Sequence, residues 1–153
     1  MKPRLKKSSG DLGKNDTPLA VVDASIVVKW FVEEENSEKA LEIRDRYVEG
    51  EMKLIAPEII IFEVLNALYC KKLFSEADMK EISDALYSYS FDLYSLKGKY
   101  AEKTIEAAFE NAITIYDASY VSLAIMKNAY FYTADRKLID GLREEYSKHV
   151  RVI

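Results

Sequence analysis

Short apolar runs alternate with longer amphipathic stretches from residue 18 to the end of the chain. The apolar runs predict β-strands at five places, 19–23, 53–56, 91–96, 130–133 and 149–153. The stretches between them have helical spacing and predict a helical turn at 25–31 and helices at 36–47, 58–72, 75–89, 99–111, 114–127 and 135–146. Strands separated by helices of this length indicate βαβ crossovers, so the pattern predicts an α/β domain with a mainly parallel sheet.

The helix at 58–72 has an unusual pattern, because apolar residues surround almost its whole circumference. This pattern predicts burial on most sides, and it predicts a core position for Cys70. Glu63 and Asn66 are the only strongly polar residues in the middle of the helix, and because they are three apart they share one face. Either that face borders the solvent, or it carries a functional carboxylate.

Four carboxylates lie inside or directly beside apolar runs. They end, interrupt or open these runs, and they are Asp23, Glu63, Asp117 and Asp135. A lone buried carboxylate is unfavourable unless it is paired with a cation, protonated or bound to a metal. Because few cations accompany these acids, a divalent metal is the simplest source of positive charge, and metals held by carboxylates often act on phosphates.

Each carboxylate taken singly also fits a structural role. Asp23 and Asp135 each follow a strand and precede a helix, which are N-cap positions. Asp117 follows Thr114 by three residues, as in a capping box. Asp23 and Asp135 also lie at the carboxyl ends of strands, where parallel α/β sheets bind ligands, so both interpretations stay open.

The charge is unevenly distributed along the chain. Charged residues make up 31% of the 153 residues, and the net charge is −4. Residues 1–17 hold five basic and two acidic residues, which gives +3 and leaves −7 for the remainder. An acidic body is a poor general binder of nucleic acid, because phosphate contacts need Lys and Arg. It is compatible with a nuclease whose acids gather at a metal site.

The composition predicts two parts, a flexible basic N-terminal tail at 1–17 and one globular domain at 18–153. The alternative for the tail is an arm that contacts RNA or a partner subunit. No apolar run approaches the roughly 20 residues that span a bilayer, and no apolar signal core follows the basic N-terminus. Because the single cysteine, Cys70, excludes an internal disulfide, we expect a cytoplasmic protein with no membrane partner.

The residue inventory argues against several other hydrolytic chemistries. His149 is the only histidine, so metal-free RNA cleavage by a histidine pair is unsupported. The chain has no phosphate-binding G-x-x-x-x-G-K loop. Aspartyl phosphate transfer of the haloacid-dehalogenase type needs a second Asp two residues after the first, where Ser25 stands.

Four short motifs carry a resemblance to a known family. They are Asp23-x-Ser25 after the first strand, Glu63-x-x-Asn66 in a helix, Asp117-Ala118 at a later helix start, and Thr133-x-Asp135 after a late strand. In this order and spacing they resemble the PIN-domain proteins, and among these the VapC-type toxins of prokaryotic toxin–antitoxin pairs. The resemblance runs from about residue 19 to residue 153, and the basic tail is the one departure from it.

The resemblance implies a three-layer α/β/α fold around a central, mainly parallel sheet. It implies that the four acids hold Mg²⁺ or Mn²⁺ at the carboxyl edge of the sheet, and that the protein is an endoribonuclease acting on RNA. It also implies a homodimer and inhibition by a cognate antitoxin protein. We expect Asp23 and Asp117 to be the closest ligands, with Glu63 and Asp135 binding directly, through water or at a second ion.

Neighbouring polar residues have predicted supporting roles. The hydroxyls of Ser25 and Thr133 are expected to orient a ligand, a metal-bound water or a phosphate oxygen, and Asn66 is expected to hold Glu63 in place. Two basic residues are either phosphate contacts or ordinary surface charges, Lys29 and Arg136. The alternative for the whole chain is a catalytically inactive PIN-like module that binds RNA or a protein, although such a module has no reason to keep four mutually repelling acids.

Overall fold

A computed structural model describes residues 17–153, and the rest of the predicted tail, residues 1–16, lies outside the described residues. Within this range the strands are β1 (Leu19–Val22), β2 (Lys53–Pro57), β3 (Asp92–Tyr94), β4 (Tyr130–Thr133) and β5 (Val150–Val152). The helices are α1 (Ala24–Val28), α2 (Ser37–Val48), α3 (Ile59–Lys71), α4 (Glu76–Ser88), α5 (Gly98–Asn111), α6 (Ile115–Met126), α7 (Arg136–Gly141) and α8 (Glu144–Ser147).

The strands form one sheet in the order β3-β2-β1-β4-β5, and every pair in it is parallel. β1 lies at the centre, where Val21 pairs with Ile55 of β2 and with Phe131 of β4. Val21 and Val22 have no exposed surface, as expected for a strand covered by helices on both faces. The prediction of an α/β/α fold with a central parallel sheet is confirmed.

The parallel arrangement determines where the functional side chains meet. Because β1 and β4 run side by side in the same direction, their carboxyl ends lie at one edge of the sheet. Asp23 follows β1 and Asp135 follows β4 by two residues, so the two acids lie at that edge.

Helix α6 packs between the sheet and α5, and residues 118–124 are all buried. Its polar side chains are satisfied inside this interface. Ser122 Oγ lies 2.7 Å from Thr104 Oγ1 of α5, and Tyr100 Oη donates to the Ser119 carbonyl at 2.7 Å. Because these buried polar groups are hydrogen-bonded, the helix can be enclosed without the cost of an unpaired donor or acceptor.

The predicted helix at 135–146 is wrong as a single element, because the chain forms α7 and α8 instead. Leu142 is extended (φ −89°, ψ 143°), which interrupts the helical hydrogen bonds. The backbone N–H of Arg143 donates to Asn111 Oδ1 at 2.9 Å, and Asn111 is 9% exposed. A buried side chain distant in sequence therefore takes the hydrogen bond that a continuous helix would have used within itself.

Helix α3 is less buried than its sequence pattern predicts. Ile60, Val64 and Leu68 form the buried stripe, whereas Phe62 is 74% exposed and Tyr69 is 64% exposed. Cys70 is also exposed, so its predicted core position is wrong. The reason is geometric, since only one stripe of α3 faces the domain. In the part of the chain that the structure describes, no helix has the length and apolar character needed to cross a membrane.

Candidate active site

Asp23 accepts hydrogen bonds from two hydroxyl groups, one two residues away in sequence and the other 110 residues away. It occupies the N-cap position of α1, but its side chain makes no capping hydrogen bond. Ser25 Oγ and Thr133 Oγ1 both donate to its Oδ2 atom, each at 2.7 Å. Both donors use the same oxygen, so the second carboxylate oxygen receives neither of them.

The same two hydroxyls also accept hydrogen bonds from the turn between β4 and α7. Ser25 Oγ accepts the backbone N–H of Ala134 at 3.0 Å, and Thr133 Oγ1 accepts the backbone N–H of Asp135 at 3.0 Å. Thr133 has no exposed surface. Each hydroxyl proton is thus directed at Asp23, and the turn that carries Asp135 is fastened to the end of β1.

Glu63 comes from the partly buried face of α3 and is paired with a tyrosine of α6. Tyr120 Oη donates to Glu63 Oε1 at 2.6 Å. The Tyr120 side chain is 1% exposed, and its ring stacks on Phe131 of β4 with centroids 5.3 Å apart. The pair joins α3 and α6 directly beside the sheet.

Asp117 and Asp135 lie at the starts of helices, as the alternative prediction of helix-capping roles required. The backbone N–H of Asp117 donates to Thr114 Oγ1 at 3.1 Å, in the first turn of α6. Asp135 Oδ1 caps α7 by accepting from the N–H groups of Lys137 at 3.0 Å and Leu138 at 3.3 Å. A capping role leaves the other carboxylate oxygen of Asp135 available to a ligand.

The four acids influence one another electrostatically. Burial raises the pKa of Asp23, and the charge of Asp117 adds to this effect. Burial also raises the pKa of Glu63, with the Tyr120 hydrogen bond opposing it and the charges of Asp23 and Asp117 reinforcing it. The pKa of Asp117 is raised by burial and then by the charge of Asp135. The fold therefore brings the four acids close enough for their charges to repel.

The charge on these acids has no basic partner in the described part of the chain, where none of the ion pairs includes any of the four. Over residues 17–153, no three His, Cys, Asp or Glu side chains are close enough to form a preformed metal cage. Carboxylate oxygens are nevertheless the ligands that Mg²⁺ and Mn²⁺ prefer. Mg²⁺ usually binds through one or two carboxylates and completes its shell with water and phosphate. The donor set fits an ion held in that open manner.

Asn66 is exposed, and the described contact of its Oδ1 is the thiol of Cys70 at 3.8 Å. The hydrogen-bond partner of Glu63 is Tyr120, so the supporting role of Asn66 stays a prediction.

Lys29 pairs with Glu34 at 3.2 Å, and Lys71 binds the same carboxylate, which lowers the pKa of Glu34.

Lys29 and Arg136, the two basic residues considered as phosphate contacts, differ in their exposure and in their ion pairing. The Lys29 side chain is only 11% exposed and is already engaged by Glu34. Arg136 is exposed at the start of α7, directly after Asp135. Of the two, Arg136 is better placed to meet a phosphate at the sheet edge.

Tyr120 is the site residue that the sequence interpretation missed. It follows Asp117 by three residues, so the two share a face of α6. That spacing was the available indication, but it did not distinguish Tyr120 from the other tyrosines. Its partner, Glu63, lies 57 residues away in sequence, and no local pattern predicts such a contact.

Both the sequence and the fold of this chain are similar to those of known proteins. A family model described as the PIN domain matches residues 20–141. The chain is 32% identical over 127 residues to a protein named Ribonuclease VapC3 from Pyrobaculum aerophilum, in an alignment that covers 78% of this chain and 92% of that relative.

Solved structures share the fold at lower sequence identity. A toxin–antitoxin complex from Klebsiella pneumoniae contains a chain with a TM-score of 0.63 and 18% identity, covering 87% of this chain and 96% of that one. VapBC2 from Rickettsia felis, solved with a DNA fragment from its promoter, gives a TM-score of 0.61 at 12% identity, covering 88% and 98%. A Pyrobaculum aerophilum crystal structure gives 0.58 at 24% identity, covering 83% and 81%.

Proposed function

Because this chain belongs to the PIN domain family and, within it, to the VapC-type ribonuclease toxins, we propose that it is a metal-dependent endoribonuclease that hydrolyses RNA phosphodiester bonds. The observation that supports this proposal is that four carboxylates from four separate segments influence one another electrostatically, two of them, Asp23 and Asp135, at the carboxyl edge of the sheet. Three of them have a raised pKa, and none has a basic partner in the described chain. Such a cluster is unfavourable by itself and becomes favourable when a divalent cation binds.

The residues have distinct roles in this proposal. Asp23 and Asp117 hold Mg²⁺ or Mn²⁺, and Glu63 and Asp135 complete the site directly or through water. When bound, the ion neutralises charge on the phosphate and lowers the pKa of a water molecule. Ser25 and Thr133 keep the Asp23 carboxylate in one orientation through the two hydrogen bonds to Oδ2. Arg136 supplies a positive charge to the substrate phosphate.

The proposed partners follow from the same family membership. RNA is the substrate, and a cognate antitoxin protein is the inhibitor, a proposal supported by the toxin–antitoxin complex that shares the fold. The exposed apolar residues of α3 and α4 form the contact in a homodimer; they are Phe62, Tyr69 and Tyr87. We place the protein in the cytoplasm, where its RNA substrate lies.

The test is cleavage of structured and unstructured RNA in Mn²⁺ or Mg²⁺, with EDTA as the metal-free control. We expect Asp23→Asn to lower the cleavage rate by roughly 100-fold or more, because a lost metal ligand removes several kcal/mol of charge stabilisation. Asp84→Asn is the matched control, since Asp84 is an exposed aspartate on α4. Equal activity of the wild type and Asp23→Asn would overturn the proposed mechanism.

The alternative, a catalytically inactive binding module, predicts that a divalent metal does not change the stability of the protein. A ligand that binds only the folded state raises its stability by RT ln(1 + [L]/Kd), so the proposal predicts a higher melting temperature in millimolar Mn²⁺. A melting curve unchanged by Mn²⁺, together with no cleavage of any RNA, would favour the binding module.

A further inference from the structure

Tyr120 is a buried polar residue that contacts one of the four acids. Its hydroxyl donates to Glu63 Oε1 at 2.6 Å, within the range of about 2.5–2.7 Å that is typical of a hydroxyl bonded to a carboxylate. The side chain is 1% exposed, and its ring lies against Phe131 at 5.3 Å with an interplanar angle of 18°. Both the ring and the hydroxyl are therefore held in one position.

A buried tyrosine hydroxyl can be satisfied without a carboxylate. Tyr100 of α5, a second buried tyrosine, donates to the backbone carbonyl of Ser119 at 2.7 Å. Tyr120 instead uses a carboxylate whose other neighbours are the acidic groups Asp23 and Asp117. A phenol hydroxyl can donate one hydrogen bond, and Tyr120 donates it to Glu63, a residue of the candidate site.

This hydrogen bond determines which oxygen of Glu63 faces a ligand. A glutamate side chain has three rotatable bonds, so a carboxylate on a partly exposed helix face samples many positions. With Oε1 engaged by a fixed donor, the carboxylate is restrained and Oε2 stays open. Donors of this kind orient metal-binding carboxylates, and their loss typically lowers metal affinity 10- to 100-fold.

We propose that Tyr120 is a positioning residue that holds Glu63 in the orientation required for binding a divalent cation. This inference rests on the proposed function, because it concerns the same acids. Tyr120 acts only through Glu63 and touches neither the RNA nor the scissile phosphate.

The test measures Mn²⁺ affinity without RNA, from the rise in melting temperature as Mn²⁺ is increased. We expect Tyr120→Phe, which keeps the ring and its stacking on Phe131, to weaken Mn²⁺ binding by about tenfold or more. Tyr100→Phe removes an equivalent buried hydroxyl that has no contact with the acids, and we expect its Mn²⁺ affinity to stay within about twofold of wild type.

A double-mutant cycle separates positioning from general loss of stability. In a Glu63→Ala background, Tyr120→Phe should weaken Mn²⁺ binding no further, because the group it orients is absent. An additional tenfold loss in that background would show that Tyr120 acts by another route and would overturn the proposal. Equal Mn²⁺ affinity of the wild type and Tyr120→Phe would overturn it as well.

Two further outcomes keep the proposal distinct from the metal site itself. If the wild type shows no Mn²⁺-dependent shift, both the metal site and the role of Tyr120 fail. If Tyr120→Phe does not fold, a tyrosine difference spectrum of the wild type during Mg²⁺ titration replaces it. The expected result is a band that saturates with metal in the wild type and in Tyr100→Phe but is lost in Glu63→Ala. A spectrum unaffected by Mg²⁺ would overturn the proposal.

Discussion

At the scale of single residues, the site depends on hydroxyl groups as much as on carboxylates. Ser25 and Thr133 each donate to Asp23 Oδ2 and each accept a backbone N–H from the β4–α7 turn. They therefore compensate part of the cost of burying Asp23 and simultaneously fix the position of the turn.

Thr133→Val should destabilise the protein by about 1–3 kcal/mol, because the buried carboxylate of Asp23 loses a donor and the Asp135 N–H loses its acceptor. Thr133→Ser keeps the hydroxyl and should lose only the energy of one methyl group, about 1 kcal/mol. Urea denaturation of both variants measures the difference. A smaller loss for Thr133→Val than for Thr133→Ser would contradict this role.

The raised pKa values of Asp23, Glu63 and Asp117 predict an unusual pH dependence. Their ordinary values are 3.8 for aspartate and 4.5 for glutamate, so above these values the folded chain retains protons that the unfolded chain has released. Their contribution to stability is therefore greatest below the unfolded pKa values and falls as pH rises through the folded ones. Thermal melts of metal-free protein between about pH 4 and pH 8 should show this decline, and Asp23→Asn should reduce it. An identical pH profile for the wild type and Asp23→Asn would argue against a buried, charge-coupled Asp23.

At the scale of secondary structure elements, the burial of a helix depends on how many of its faces pack against other elements. Helices α3 and α6 are both rich in apolar residues, yet residues 118–124 of α6 are all buried whereas α3 leaves Phe62 and Tyr69 exposed. Helix α6 is enclosed because the sheet lies on one side and α5 on the other. An all-round apolar pattern therefore predicts a buried helix only when a second layer covers it.

The break between α7 and α8 depends on Asn111 at the end of α5. Its Oδ1 accepts from the Arg143 N–H, and its Nδ2 donates to the Ala107 carbonyl at 2.8 Å. Asn111→Ala should lower the free energy of unfolding by about 1–3 kcal/mol, since it leaves the part-buried N–H of Arg143 without its acceptor. Asn66→Ala, at an exposed asparagine, should change it by less than about 0.5 kcal/mol. Comparable losses for the two variants would contradict this account of the break.

At the scale of the whole molecule, helices α3 and α4 together expose several large apolar side chains. Phe62, Tyr69 and Leu73 belong to α3 or follow it directly, and Tyr87 on α4 is 86% exposed. Exposed apolar side chains on two helices that pack together, as α3 and α4 do, are suited to a protein–protein contact. The predicted homodimer and the predicted antitoxin complex both need such a surface, and we assign this one to the homodimer.

If the proposed homodimer forms through this surface, Phe62→Glu should convert it to a monomer, because the substitution places a charge inside an apolar contact. Phe109→Glu is the matched control, since Phe109 is a phenylalanine that is 85% exposed on a different helix, α5. Light scattering coupled to size-exclusion chromatography reports the mass of each. A monomeric wild type, or a Phe62→Glu variant that remains dimeric, would refute the assignment.

The sequence by itself determined the succession of the strands and of all predicted helices but the last, the parallel α/β class and the family to which the chain belongs. These features depend on hydrophobic periodicity and on short motifs, which local chemistry controls. The sequence also identified the four acids as candidate site residues, because a carboxylate within or beside an apolar run is unusual whatever the tertiary structure.

Only the tertiary structure decided the remaining features. It paired Tyr120 with Glu63, broke the last long helix at Leu142, and left Cys70 and the outer face of α3 exposed. Each of these outcomes depends on contacts between residues far apart in the chain, or on which surfaces lack a neighbour. Local periodicity carries no information about such contacts, because they exist only once the elements have packed together.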